Sequence, residues 1–286
     1  MTINYQDAMS KAEAGQTSAY DDTQTILYAL SIGMGRDPLD PREMGFVFEG
    51  AELKAVPTMA AVLSRSRLVG ELNIDMALML HGEQRLTLHR PLPAKAKLVS
   101  EARVKEILDK GAGKGALIFL ETVMREVGDD RPLVTLGSTL FARGDGGFGG
   151  PTTPAPAPHP MPQRAPDHSH VTETRPDQAL LYRLNGDRNP LHVDPELARR
   201  GGFPAPILHG LCSYAIACRA VLAMVCDYDP GRIASFDVRF TSPVYPGETI
   251  TTDIWVDGEV VSFRCRVEAR GVTAINNGRC LLRRAA

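Results

Sequence analysis

The chain has 286 residues, 43% of them apolar and 23% charged, the composition of an ordinary globular protein, which excludes bulk disorder. With 32 basic against 34 acidic residues the formal net charge is −2. That excludes a dedicated nucleic-acid binder, because neutralising phosphates takes a surplus of Lys and Arg.

In chain order, the stretch from Met1 to Asp22 is polar and lacks the apolar core of a signal peptide. The first half then predicts a helical part followed by strands at Gln84–His89, Lys97–Leu108, Ala116–Glu126 and Leu133–Ala142. Gly144 to Pro166 holds five glycines up to Gly150 and then seven prolines. Such a segment cannot continue a helix or a central strand, and its Pro-rich part is expected to be extended and exposed. It divides the chain into a domain over residues 1–145, a linker over 146–166 and a second domain over 167–286. In the second half, Ile207 to Val225 is apolar almost all round, and its length and Ala content predict a buried helix entered through Pro204 and Pro206. Strands follow at Ser235–Phe240, Glu248–Trp255 and Val260–Val267, with a less distinct one at Thr273–Leu282. No apolar run approaches the roughly 20 residues that cross a bilayer, so no membrane is expected as a partner. The closing Leu-Arg-Arg-Ala-Ala is not a peroxisomal tripeptide of the Ser-Lys-Leu kind. The five cysteines include no Cys-x-x-Cys pair, which reads as reduced thiols in a cytoplasmic protein and neither a disulfide framework nor a zinc site.

The halves look like copies. Gly35-Arg-Asp-Pro-Leu-Asp40 aligns with Asp187-Arg-Asn-Pro-Leu-His192, and Leu88-His-Arg-Pro-Leu-Pro93 aligns with Phe240-Thr-Ser-Pro-Val-Tyr245, both at an offset of 152 residues. A period this long means duplicated domains. One long helix packed on an antiparallel sheet, twice per chain, is the expected α+β architecture.

The densest cluster of unusual residues is Asn185-Gly-Asp-Arg-Asn-Pro-Leu-His192. Asp187 and His192 flank a Pro bend that can turn a carboxylate and an imidazole toward one water, as general acid–base chemistry requires. The residues alone equally admit a turn-capping Asp and a structural His. At Ile207-Leu-His-Gly210, where the apolar helix begins, the Gly210 N–H could face a developing oxyanion, whereas His209 reads more readily as structural. The first copy carries Gly35 and Asp40 in place of Asp187 and His192, so one half looks equipped for chemistry and the other disarmed. His89, His159, His168 and His170 are left as surface or linker residues. His168-Ser-His170 lacks the partners of a metal site, and no metal is expected.

Tyr182 to His192, followed after five residues by Ala198, resembles the hydratase 2 motif of (R)-specific enoyl-CoA hydratases of the MaoC-like group. Leu80-His-Gly-Glu-Gln84, Asp109-Lys-Gly111, Gly146-Gly-Phe-Gly-Gly150, Ile207-Leu-His-Gly-Leu211 and Arg239 to Gly247 extend the resemblance over nearly the whole chain. It implies a double hotdog fold, a homodimer, no cofactor, and reversible hydration of trans-2-enoyl-CoA to (R)-3-hydroxyacyl-CoA, as in β-oxidation. By motif, Asp187 and His192 would activate water, Asn189 would hold the loop or the water, and the Gly210 amide would bind the thioester oxygen. His81, Gly82, Lys110, Arg188 and Phe240 would bind the acyl-CoA. Asn185 departs from the usual Ser, Thr, Gly or Cys and is expected to affect pocket detail more than chemistry. An acyl-CoA thioesterase of the same fold and a non-catalytic acyl-CoA-binding protein are the competing readings, since a fold does not fix a function.

Overall fold

The computed structural model describes residues 3–50, 52–64, 66–76 and 78–284. The first half contributes strands β1 (Ala12–Tyr20), β2 (Met79–Leu88), β3 (Ala96–Asp109), β4 (Ala116–Glu126) and β5 (Val134–Ala142). The second contributes β6 (His168–Glu173), β7 (Ile233–Phe240), β8 (Thr249–Asp257), β9 (Val260–Val267) and β10 (Val272–Leu282). All ten join one antiparallel sheet in the order β1-β3-β4-β5-β2-β7-β10-β9-β8-β6. Each half thus repeats one strand order outward from the β2–β7 seam. There Glu83 faces Arg239 and Thr87 faces Ser235. Adding 152 to Glu83 gives Ser235 and to Thr87 gives Arg239, so each pair maps onto the other. The sequence repeat is therefore also the register of the central strand pair, and a pseudo-twofold axis passes through it.

The eight expected strands are present. The two without a sequence expectation, β1 and β6, are the outer edges, mostly exposed and polar. Edge strands carry little apolar alternation and are blunted by polar side chains, so periodicity cannot find them.

Helices α1 (Tyr5–Ser10), α2 (Asp22–Ser31), α3 (Pro41–Val47) and α4 (Ala60–Leu63) precede β2, while α5 (Gln178–Tyr182), α6 (Pro195–Arg200) and α7 (Gly210–Met224) precede β7. The predicted buried helix is α7, packed on β6 to β9. It begins at Gly210 because residues 207–209 run extended toward it, with the Leu208 N–H bonded to Val244 O at 2.7 Å. The five cysteines are free and buried, as small apolar residues would be.

The first half departs from the expected long helix. Its equivalent stretch is a 3₁₀ turn (Pro57–Met59), the four-residue α4 and a second 3₁₀ turn (Leu68–Glu71). Ser64 already has extended backbone, φ −67° and ψ 133°. The sequence Ser64-Arg-Ser-Arg67 offers no apolar face to bury, and helices of this kind draw their stability from such a face. One core cluster nevertheless spans both halves, from Tyr20 to Leu282.

Residues 151–162 lie in no regular element and are largely exposed, yet they are tied down. Asn277 Nδ2 donates to the His159 carbonyl at 2.8 Å, and the His159 ring lies 2.8 Å from the Ser262 hydroxyl. His159 and His170 are half-buried, the latter on β6, whereas His89 and His168 are exposed.

Candidate active site

The loop from Asp187 to His192 begins where the 3₁₀ turn Arg183–Asn185 stops at Gly186, whose φ of +120° a side chain would strain. Asp187 Oδ1 then accepts the Asn189 N–H at 3.2 Å, and Asn189 Oδ1 accepts the Leu191 N–H at 3.0 Å. Asn189 therefore braces the loop and caps the 3₁₀ turn Pro190–His192, with proline at its first position. The braced turn carries His192 inward, to 8% exposure. His192 Nδ1 lies 2.9 Å from the Ile207 carbonyl. A carbonyl only accepts, so the proton sits on Nδ1 and Nε2 keeps its lone pair.

His209, which the sequence reading treats as structural, belongs to the same cluster. Its ring stacks on His192 at 3.7 Å between centroids, and its Nε2–H donates to the Asp187 carbonyl at 3.2 Å. Its Nδ1 is buried without a hydrogen-bond partner among the described residues. Donor atoms of Asp187, His192 and His209 all lie within 4.8 Å of one another. These are the ligand types a divalent cation takes, although two of the four ring nitrogens already serve carbonyls. The signal for His209 was its place beside Gly210, but a lone His at the edge of an apolar run looks the same when it is only core.

Burial pushes His192 below the ordinary histidine range, partly offset by the bond to Ile207 and the Asp187 charge. Burial, with the neighbouring His192 adding to it, takes His209 down to about 3. His81 is likewise lowered to about 4 by burial, while Asp187 pulls it the other way. Three imidazoles are thus held neutral around one carboxylate.

His81 comes from the first half. Register slips between His81 and Glu83 on the β2–β5 ladder, which leaves Gly82 as a bulge, a device that re-aims neighbouring side chains. A Cβ on Gly82 would sit 3.2 Å from the Thr139 carbonyl. The turned His81 ring packs against Phe240 at 5.1 Å between centroids. Phe240 in turn covers Gly210, where a Cβ would meet its ring at 3.3 Å. Gly210 is the first residue of α7, and no side chain caps that helix. Its N–H is one of the four that a helix start leaves without an internal partner. Asp187, His192, Gly210, His81, Gly82 and Phe240 are therefore brought together, with His209 added.

Arg188 and Lys110 are exposed and stand outside this cluster. The loop carrying Lys110 joins β3 to β4 at the end of the sheet where Ala116 pairs with Ala142, and Ala142 with Met79. It lies two strands from His81, roughly 10 Å at the usual strand spacing. Asp109 anchors that loop, its carboxylate accepting the N–H groups of Gly111, Gly147 and Gly149 at 2.7–2.8 Å. The glycine run 146–150, read from sequence as a chain break, thus doubles as a seat for the Lys110 loop.

Residues 18–144 match the MFE-2 hydratase 2 N-terminal domain and residues 158–278 the MaoC like domain. The chain is 39% identical to the probable enoyl-CoA hydratase 2 of Dictyostelium discoideum, over 88% of this chain and 87% of that protein. It is 38% identical to the mouse peroxisomal multifunctional enzyme type 2, over 91% of this chain and 36% of that longer protein. A MaoC-like dehydratase from Phytophthora capsici superposes with a TM-score of 0.85 at 34% identity, over 98% of this chain and 99% of that one. With two hotdog halves in one sheet and relatives of this identity over most of its length, the chain belongs to the MaoC-like enoyl-CoA hydratase 2 family.

Proposed function

We propose that the protein adds water reversibly across the double bond of a trans-2-enoyl-CoA, giving the (R)-3-hydroxyacyl-CoA. The observation that carries this reading is the His192 tautomer. The Ile207 carbonyl leaves Nε2 as a base beside the Asp187 carboxylate, at a helix start whose N–H groups can take negative charge. A water held by Asp187 and His192 gives a proton to Nε2 as its oxygen bonds to the β-carbon. The electron pair of the double bond moves onto the thioester oxygen, which the Gly210 N–H stabilises. Nε2–H then returns the proton to the α-carbon. Water and enoyl thioester balance the reaction, so no cofactor is required. Groups of these two kinds typically contribute about 10²–10⁴-fold and 10²–10³-fold.

Lys110 binds a CoA phosphate in this reading, while His81 and Phe240 flank the thioester and Arg188 stands at the exposed rim. Residues 1–145 shape the acyl site, 146–166 link, and 167–286 carry the chemistry. Buried free thiols suit a reducing compartment such as the cytoplasm, and the working unit is a homodimer, which light scattering tests. Among the described residues no helix is long and apolar enough to cross a membrane.

The deciding experiment follows the enoyl-thioester absorbance with trans-2-enoyl-CoAs of several lengths, beside a thiol trap and chiral analysis of the product. Loss of the band without thiol release, yielding the (R)-alcohol, is expected. Thiol release would transfer the site to thioester hydrolysis, and no change at any length would leave a binding protein.

A further inference from the structure

Asn185 does more than occupy a variable place before the loop. Its Nδ2 carries two hydrogens and uses both: one goes to the Tyr182 carbonyl at 2.8 Å, the other crosses to the Ser31 hydroxyl at 2.9 Å. Ser31 ends α2 in the opposite half and is fully buried. Its own O–H donates to the Tyr28 carbonyl at 2.7 Å, so its oxygen is free to accept. The Ser31 carbonyl is engaged as well. Gln178 Nε2 donates to it, and Cys212 Sγ approaches it at 3.9 Å. Cys212 lies two residues beyond Gly210 in α7, and Asp187 lies two residues beyond Asn185. One buried residue of the disarmed half therefore touches both the root of the loop that carries the carboxylate and the first turn of the helix that carries the oxyanion N–H.

Between Asn185 and Asp187 stands Gly186, at φ +120°, a joint with wide backbone freedom. On the far side of that joint the Asp187 carbonyl is held by His209. On the near side the hold is Asn185. A shorter hydroxyl side chain has a single O–H, enough for Tyr182 or for Ser31 but not for both. We propose that Asn185, through Ser31, is a positioning residue that fixes the separation between the Asp187 carboxylate and the Gly210 N–H. This revises the expectation that Asn185 affects pocket detail more than chemistry. It also gives the half without catalytic residues a part in the chemistry.

The inference rests on the hydratase reading, and one experiment separates the two. Asn185→Ser, Ser31→Ala and the double variant are assayed with a trans-2-enoyl-CoA beside the wild type, with folding checked by circular dichroism and thermal melting. Misplacing reacting groups by about 1 Å costs on the order of 10²-fold, so each single variant is expected to lose about 10- to 100-fold in kcat. KM should stay within about twofold, because the groups that hold the CoA are untouched. The double variant should be no slower than the slower single, since both remove one bond. A merely structural bond would lower the melting temperature and leave kcat per folded molecule unchanged, and that result overturns the proposal. So do losses that multiply in the double variant. Should Ser31→Ala fail to fold, kcat of Asn185→Ser decides alone. An inactive wild type in the same assay would sink the hydratase reading instead.

Discussion

The His192 and His209 rings lie face to face at 3.7 Å, an arrangement that two imidazolium ions could not tolerate in a buried site. Each ring is locked by a different carbonyl, Ile207 for one and Asp187 for the other, so each has one tautomer. Burial, outweighing the Asp187 charge, keeps the folded pKa of His192 below its ordinary value of 6.5. The sign of the pH effect follows: the ring stays a neutral base as pH falls through 6.5, and turnover is lost only as pH passes its lowered folded pKa. The acid limb of kcat/KM should accordingly have its midpoint below 6.5. A midpoint at or above that value would mean that a different group limits the rate. Asp187→Ala and His192→Ala should each cost about 10²–10⁴-fold in kcat, the range of a proton-transfer group. In the proposed mechanism both act on one water, so their effects should not multiply. In the sequence Asp187 and His192 stand out because the two copies differ at those positions. His209 stayed hidden because nothing in a linear pattern shows that a ring will stack.

At the level of elements, what could be read depended on whether a segment buries one face. Central strands such as β3 and β4 alternate and were visible, and α7 was visible as a long apolar run. The edge strands β1 and β6 were not, and the repeat suggested a helix in the first half that Ser64, Ser66 and Arg67 do not support. Turn chemistry was only half legible. The glycines at 146–150 announced a break, but their service to Asp109 depends on contacts 38 to 40 residues apart in sequence. Gly146 is the one closed in by carbonyls: a Cβ there would lie 2.3 Å from the Gly111 carbonyl and 2.6 Å from the Gly115 carbonyl. Backbone on both sides cannot yield cheaply, and overpacking of this kind costs about 1–3 kcal/mol. Gly146→Ala should therefore displace the Lys110 loop and raise KM for an enoyl-CoA by on the order of tenfold, which corresponds to about 1.4 kcal/mol. The same acyl group on pantetheine, which lacks the nucleotide phosphates, should show no change in KM. Equal rises for both thioesters would remove Lys110 from phosphate binding.

Across the whole molecule, the two halves share one sheet and one core and should unfold as one unit, which a buried ion pair between them tests. Glu43, in α3 of the first half, accepts both Arg219 Nε and Nη2 from α7 of the second, at 2.9 and 2.7 Å. The side chains are 3% and 13% exposed. Glu43 also accepts the Gly35 N–H at 2.6 Å, so the pair joins the first-half copy of the loop to the helix that starts at Gly210. Removing one member of a buried pair strands the other charge and costs about 3–5 kcal/mol, whereas replacing both by apolar groups is often near neutral. Arg219→Met should thus destabilise by about 3–5 kcal/mol in urea, and Arg219→Met with Glu43→Leu should recover most of that loss. The chain has one tryptophan, Trp255 on β8 of the second half. Its fluorescence reports that half alone, while circular dichroism reports both. The two curves should coincide in the wild type and shift together in Arg219→Met, because the β2–β7 seam and the common core leave neither half a surface it could expose and remain folded. A fluorescence transition displaced from the dichroism would show that the second half unfolds by itself, and the seam would then be a contact between domains and not the centre of one sheet.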